Sequence, residues 1–142
     1  MIIFTDKDTD MKRRESRTAA MKLIFQIPFD FDIPVEERLE LFSESGEESD
    51  DFSRSLYEGV YNNIAELDAK IAPHLQKWSF DRLSKITVAV LRLASYEILH
   101  TDIPTEAAIN EAVELMKTFD DQKSAAFVNG VLGKVAAENG KL

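Results

Sequence analysis

Residues 85–100 read KITVAVLRLASYEILH, and how that stretch is read decides the fold. Wound at about 100° per residue, it is apolar on nearly every side. A helix of that kind sits at the centre of a bundle, covered all round by other helices. Nothing elsewhere in the chain offers a sheet for it to lie on, because no segment alternates β-branched with polar residues.

Working outward, Pro104 precedes a second helix predicted over 105–118. A third begins near Ser124, with Asp120 and Asp121 favourable ahead of its positive end, and stops by Gly140. On the N-terminal side a short helical turn is predicted at 81–83. Before the link around Trp78, one long helix is predicted after Asp50 and Asp51, stopped by Pro73. Its apolar stripe is Phe52, Leu56, Val60, Ile64, Leu67 and Ile71, spaced by threes and fours. The tract SESGEES reads as a loop, preceded by a helix from Pro34 to about Phe42. The first helix is predicted over 11–27, started by Thr9 or Asp10 and ended by Pro28. The expected fold is therefore all-α, a bundle of six or seven helices, with residues 1–10 a flexible N-terminal segment and 11–142 one helical domain.

At 142 residues such a domain is large enough to bury roughly two-thirds of its unfolded surface. No apolar run approaches the ~20 residues needed to cross a bilayer, and MIIFTDKD lacks the basic start of a signal peptide. No membrane partner is expected, and the expected location is the cytoplasm. The absence of cysteine excludes disulfides, thiol catalysis and zinc–thiolate sites.

Several candidate sites fail on spacing. Asp6, Asp8 and Asp10 imitate the start of an EF-hand loop, but Met11 and Arg17 stand where Gly and Glu are needed. His74 and His100 are far apart without clustered ligands, and read as surface or helix-end histidines. Glu111 with Glu114, or Glu97 with Asp102, have no phosphate loop or nucleophile beside them. Neither an enzyme nor a cofactor is expected.

The charge pattern is more informative. The chain carries a formal net charge of -9, yet residues 36–51, EERLELFSESGEESDD, hold eight acidic groups and one cation. The acidity is local, and the plain reading of that run is a solvated helix face and a loop. Equally local is the cation cluster Lys12, Arg13, Arg14 and Arg17 in MKRRESRTAAMKLIFQ. On a helix beginning at 11, Arg13 and Arg17 lie one turn apart, with Arg17 directly above the apolar stripe of Ala20, Leu23, Ile24 and Ile27. Lys22 points some 140° away by the same wheel. Cations in a first helical turn oppose the helix dipole at about 0.3–1 kcal/mol each. Such a conflict is expected where binding overrides stability, and guanidinium forks suit phosphate. An ordinary solvated Arg-rich turn or a protein-facing patch competes with that reading.

A second unusual stretch is KSAAFVNGVLGKV from Lys123, where Gly130 and Gly133 sit inside a helix at about 1 kcal/mol each relative to Ala. Close approach of a neighbouring backbone would explain them. Lys123 and Phe127, one turn apart, would place a cation and a stacking ring on one side.

The residues AVLRLASYEIL, then DIP, AINEAVELMKTF and KSAAFVNGVLGKV, with RRESRTAAMKLIF near the start, resemble the NusB family of bacterial transcription antitermination factors. The likeness is dense after Trp78 and loose between Pro28 and Pro73. It implies two small helical subdomains, about 11–77 and 78–140, and a role without catalysis. It further implies binding of boxA RNA in the nascent transcript, together with the ribosomal protein NusE, within the antitermination complex on RNA polymerase, notably during ribosomal RNA synthesis. Carried over to this chain, the family's Arg-rich helix start falls on Arg13, Arg14 and Arg17, with Lys12 adjacent, and its aromatic on Phe127; Lys123 stands where some relatives carry an acidic residue, and its expected phosphate contact comes from its own charge. The NusE surface falls on Asp81, Arg82, Lys85 and Thr87. Phe25 stands where relatives often carry Tyr, which leaves it a packing role. Arg92, Asn110 and Glu111 read as buried polar links between helices. A helical protein–protein adaptor without RNA binding is the alternative. Methyl transfer, found where such domains precede a methyltransferase, is not expected from this chain.

Overall fold

The computed structural model describes residues 6–29 and 32–142, with side chains from residue 12 onward. Seven α-helices follow one another among these residues: α1 Asp6–Gln26, α2 Val35–Glu44, α3 Asp51–Asn62, α4 Ile64–Ile71, α5 Lys85–His100, α6 Thr105–Phe119 and α7 Gln122–Glu138. Short 3-10 turns cover Ile27–Phe29, Ala72–His74 and Phe80–Arg82.

The central helix forms where the sequence predicts it. Ser84 starts α5 by accepting a hydrogen bond from the Thr87 amide at 3.1 Å. Ten of the sixteen residues of α5 are buried. It packs against α1, α3 and α4 on one side and α6 and α7 on the other. The shared core runs from Leu23 and Ile24 through Leu56, Leu67, Leu91 and Leu93 to Val128 and Leu132.

Helix α1 begins at Asp6, five residues before the expected start, so residues 6–10 are helical rather than part of a flexible leader. Aspartates at 6, 8 and 10 fall in its first two turns, where the dipole favours negative charge. The arginines therefore lie two turns or more from the helix end, beyond the reach of the dipole. The conflict read from a helix starting at 11 disappears. Residues 1–5 of the expected flexible segment lie outside the described residues, as do the side chains of Asp6, Asp8 and Asp10 on which the failed calcium loop was judged.

The predicted long helix over residues 51–73 is two helices. Asp50 opens the first with a capping box: its carboxylate accepts from the Ser53 amide at 2.9 Å, while its own amide donates to Ser53 Oγ at 2.8 Å. Asn63 interrupts the run with φ -127° and ψ 18°. Its side-chain amide donates to the Gly59 carbonyl at 2.7 Å, taking an acceptor that helix continuation would have used. The apolar stripe survives the break: Leu56, Val60, Leu67 and Ile71 are all fully buried.

The helix glycines are also used differently from the expectation. Nothing lies near the position a Cβ would take at Gly130 or Gly133, so no backbone approaches them closely. The close approach is at Gly59, where a Cβ would stand 2.1 Å from Cζ of Tyr96. Absence of a side chain there lets the Tyr96 ring cross α3.

Candidate nucleic-acid interface

Helix α1 divides its basic residues between two environments. Lys12, Arg13 and Arg14 are exposed, whereas Arg17 is only 8% exposed. Arg17 lies above the apolar stripe as the helical wheel implies, and that places it inside the molecule. Its Nε donates to Glu97 Oε1 at 2.8 Å, and Glu97 is 1% exposed. Burial pushes the Glu97 carboxyl above its ordinary value, Arg17 and more weakly Arg13 pull it back, and Glu111 adds repulsion. Arg17 is thus a structural ion pair joining α1 to α5, not the free phosphate contact expected from the sequence.

Arg13 and Arg14 line an open cleft of about 440 Å³ between α1, the start of α3 and the start of α6. Arg13 lays its guanidinium over the Phe52 ring, 4.0 Å from the ring centre. The Arg17 guanidinium lies 5.4 Å from the same centre. Arg14, 69% exposed, reaches Glu111 Oε1 at 3.4 Å from the opposite wall. Ile103 and Pro104 complete that wall. The arrangement offers two accessible guanidinium groups, one of them resting on an aromatic face, plus Lys12 on the next hollow along the helix. Planar forks at this spacing can bind phosphate oxygens edge-on and stack on unpaired bases.

In the sequence Phe52 reads only as part of an apolar stripe, and Glu97 only as half of a failed acid/base pair with Asp102. The signal for Glu97 was an acidic residue inside an otherwise apolar helix, which demands a buried cation. The signal for Arg17 was its position over the stripe. Phe52 belonged visibly to the apolar stripe, but nothing in that pattern tells which stripe residue lies at an edge. Asn110 is exposed and so is no buried link. Arg92 does link helices, in a bidentate pair with Asp68 of α4 at 2.9 and 2.8 Å. Glu111 links α6 to α1 through Arg14.

The remaining expected residues lie elsewhere. Lys123 is exposed at the start of α7, and Phe127 packs half-buried against the core; neither lines the arginine cleft. Lys22, outside the arginine cleft, pairs with Glu47 at 3.3 Å, which accounts for part of the acidic segment. His100 ends α5 against Glu66 at 2.8 Å, and His74 pairs with Glu138 near the end of α7. No group of three metal-binding side chains forms among the described residues.

Of the expected protein-facing residues, Asp81, Arg82 and Lys85 are exposed around the start of α5. The Ser79 hydroxyl donates to Asp81 at 2.6 Å and holds its carboxyl below the ordinary value. Thr87 is 4% exposed, its hydroxyl 2.8 Å from that of Ser84, so it serves the helix cap rather than the exposed surface. Beside this corner is an apolar groove of about 360 Å³, lined by Met21, Phe25, Phe42, Ile86 and Phe119 and edged by Lys22 and Glu47. Its walls come from four helices, which is why no single stretch of sequence announces it.

The comparisons with known proteins agree with this architecture. The NusB family model matches residues 14–137. A transcription antitermination protein NusB of Listeria monocytogenes serotype 4a (strain HCC23) is 42% identical over 130 residues, covering 91% of this chain and 99% of the relative. That of Oceanobacillus iheyensis is 42% identical over 128 residues, covering 89% and 100%. The T. maritima NusB structure superimposes with TM-score 0.75 at 36% identity over 89% of this chain and 91% of that one. A structure of antitermination factors NusB and NusE in complex with dsRNA superimposes with TM-score 0.76 at 25% identity, covering 89% and 96%. No helix among the described residues is long and apolar enough to cross a membrane. With the family model spanning nearly the whole chain and relatives matched end to end, the chain belongs to the NusB family.

Proposed function

We propose that the chain is a non-catalytic antitermination factor that binds boxA-type single-stranded RNA in nascent transcripts, together with NusE. In this reading it acts in the cytoplasm within the RNA polymerase antitermination complex, notably on ribosomal RNA operons. The observation that carries the reading is the exposed cation row Lys12, Arg13 and Arg14 beside an aromatic-floored cleft, on a chain that is acidic elsewhere. The solved complex that holds NusB, NusE and RNA together supports the two partners. Docking of NusE is assigned to the corner of Asp81, Arg82 and Lys85, extended into the apolar groove next to it, whose size and aromatic lining suit protein side chains.

The exposed row defines a footprint of three phosphates, so the logarithm of affinity for single-stranded RNA should fall with a salt slope of about -2. Arg13→Ala with Arg14→Ala should weaken binding in fluorescence anisotropy while circular dichroism stays that of the parent. Titrating boxA and scrambled RNA with and without NusE tests selectivity. Unchanged affinity in the double variant rejects the arginine face, and equal affinity for both RNAs in the presence of NusE rejects sequence-specific recognition. Retention of NusE without RNA affinity would instead leave a protein–protein adaptor.

A further inference from the structure

Phe52 has so far entered only as the floor of the cleft, yet it is the side chain that two of the arginines share. It occupies the second position of α3, next to the capping box that fixes Asp50 and Ser53. Its ring is half-buried against the core and forms the floor of the arginine cleft. From this geometry we propose that Phe52 is a positioning residue, which holds the Arg13 guanidinium edge-on to the cleft so that its fork meets RNA phosphate. The proposal rests on the RNA-binding reading.

Three arginines approach the cleft, and their states differ. Arg17 is committed to Glu97 inside the molecule. Arg14 shares its charge with Glu111, a carboxylate that an incoming phosphate must displace or repel. Arg13 has no carboxylate within ion-pair distance among the described side chains, and its recorded contact is the ring at 4.0 Å. A guanidinium lying over a ring engages it through its π face. Its N–H donors lie in its own plane and stay directed outward, the orientation a bidentate phosphate contact needs. The ring also confines a long side chain before RNA arrives, which lowers the ordering required on binding. The buried Arg17–Glu97 pair holds a second guanidinium against the same ring and fixes α1 to α5 beneath it. Direct stacking of a base on Phe52 would make the opposite prediction, because ring and arginine would then contribute separately.

The test is a double-mutant cycle on the full chain with NusE present, using a fluorescein-labelled single-stranded boxA RNA in anisotropy. Phe52→Leu should weaken binding on the order of 3- to 10-fold, and Arg13→Ala at least as much. The double variant should be no weaker than Arg13→Ala alone. Phe52→Tyr, which keeps the ring, should bind within about twofold of the parent. In NMR spectra the Arg13 side-chain protons should be shifted upfield in the parent and in Phe52→Tyr, and lose that shift in Phe52→Leu, with a smaller change at Arg17 over the same ring and none along the rest of α3, where general loosening would spread. Losses that multiply in the double variant, or full affinity in Phe52→Leu while Arg13→Ala weakens binding, overturn the positioning role and leave the RNA reading standing. Full affinity in Arg13→Ala overturns the positioning role and removes Arg13 from the RNA face, while absence of any RNA affinity in the parent with NusE overturns the RNA reading itself.

Discussion

Arg17 shows how a side chain can belong to a basic cluster in sequence and to the core in space. Its guanidinium replaces the water that Glu97 loses inside the bundle, and both groups are buried there. Removing one partner of such a pair is far more damaging than replacing both with apolar residues. Arg17→Ala should therefore cost about 3–5 kcal/mol in denaturant unfolding, while Arg17→Met with Glu97→Leu should recover most of that loss. The deficit should depend on pH. The Glu97 carboxyl is already held above its ordinary value of 4.5 by burial, and loss of Arg17 raises it further. A folded state that binds the proton more tightly than the unfolded state gains stability as pH falls through the raised folded value toward 4.5. Arg17→Ala should accordingly be least destabilised in mild acid, and a deficit that grows on acidification would contradict the pair as described.

At the scale of elements, what holds α3 against α5 is the missing side chain at Gly59. A methyl group at that position would stand inside the Tyr96 ring, so either the ring or the helix must move. Gly59→Ala should lower stability by about 1–3 kcal/mol despite the better helix propensity of alanine. Gly130→Ala meets open space and should instead gain about 1 kcal/mol; thermal melts of the two variants distinguish the roles. The same comparison explains what was legible in advance. The ends of α5 were readable because Ser84 caps locally and Pro104 follows closely. The break at Asn63 was not, because the stripe from Phe52 to Ile71 keeps its spacing across it and only a side-chain bond to Gly59 records the interruption. A glycine looks alike in sequence whether a ring crosses it or nothing does, so the close approach expected at Gly130 is found at Gly59 instead.

At the scale of the whole molecule, the site was legible as a patch of charge and illegible as a set of contacts. The helical wheel shows which cations share a face, but not that Glu97, 80 residues later, waits beneath Arg17. It also cannot show that the acidic segment folds back beside the basic one. Arg14 and Lys22 line the same hollow as Glu47 and Glu48, and Asp50 receives the Ser16 hydroxyl at 2.6 Å. The negative segment therefore flanks the arginine face, close enough for its charges to act through water on any phosphate that binds there. At such distances in water each charge pair contributes only tenths of a kcal/mol, but several act together. Changing Glu47 and Glu48 to Gln should raise affinity for single-stranded RNA on the order of 2- to 5-fold in low salt, without touching Arg13 or Phe52. The gain should fade toward 1 M salt, where screening confines electrostatics to direct contacts. A gain that persists at high salt would mean that Lys22, released from Glu47, had become a new contact; no gain at low salt would mean that RNA leaves the cleft on the side away from α2.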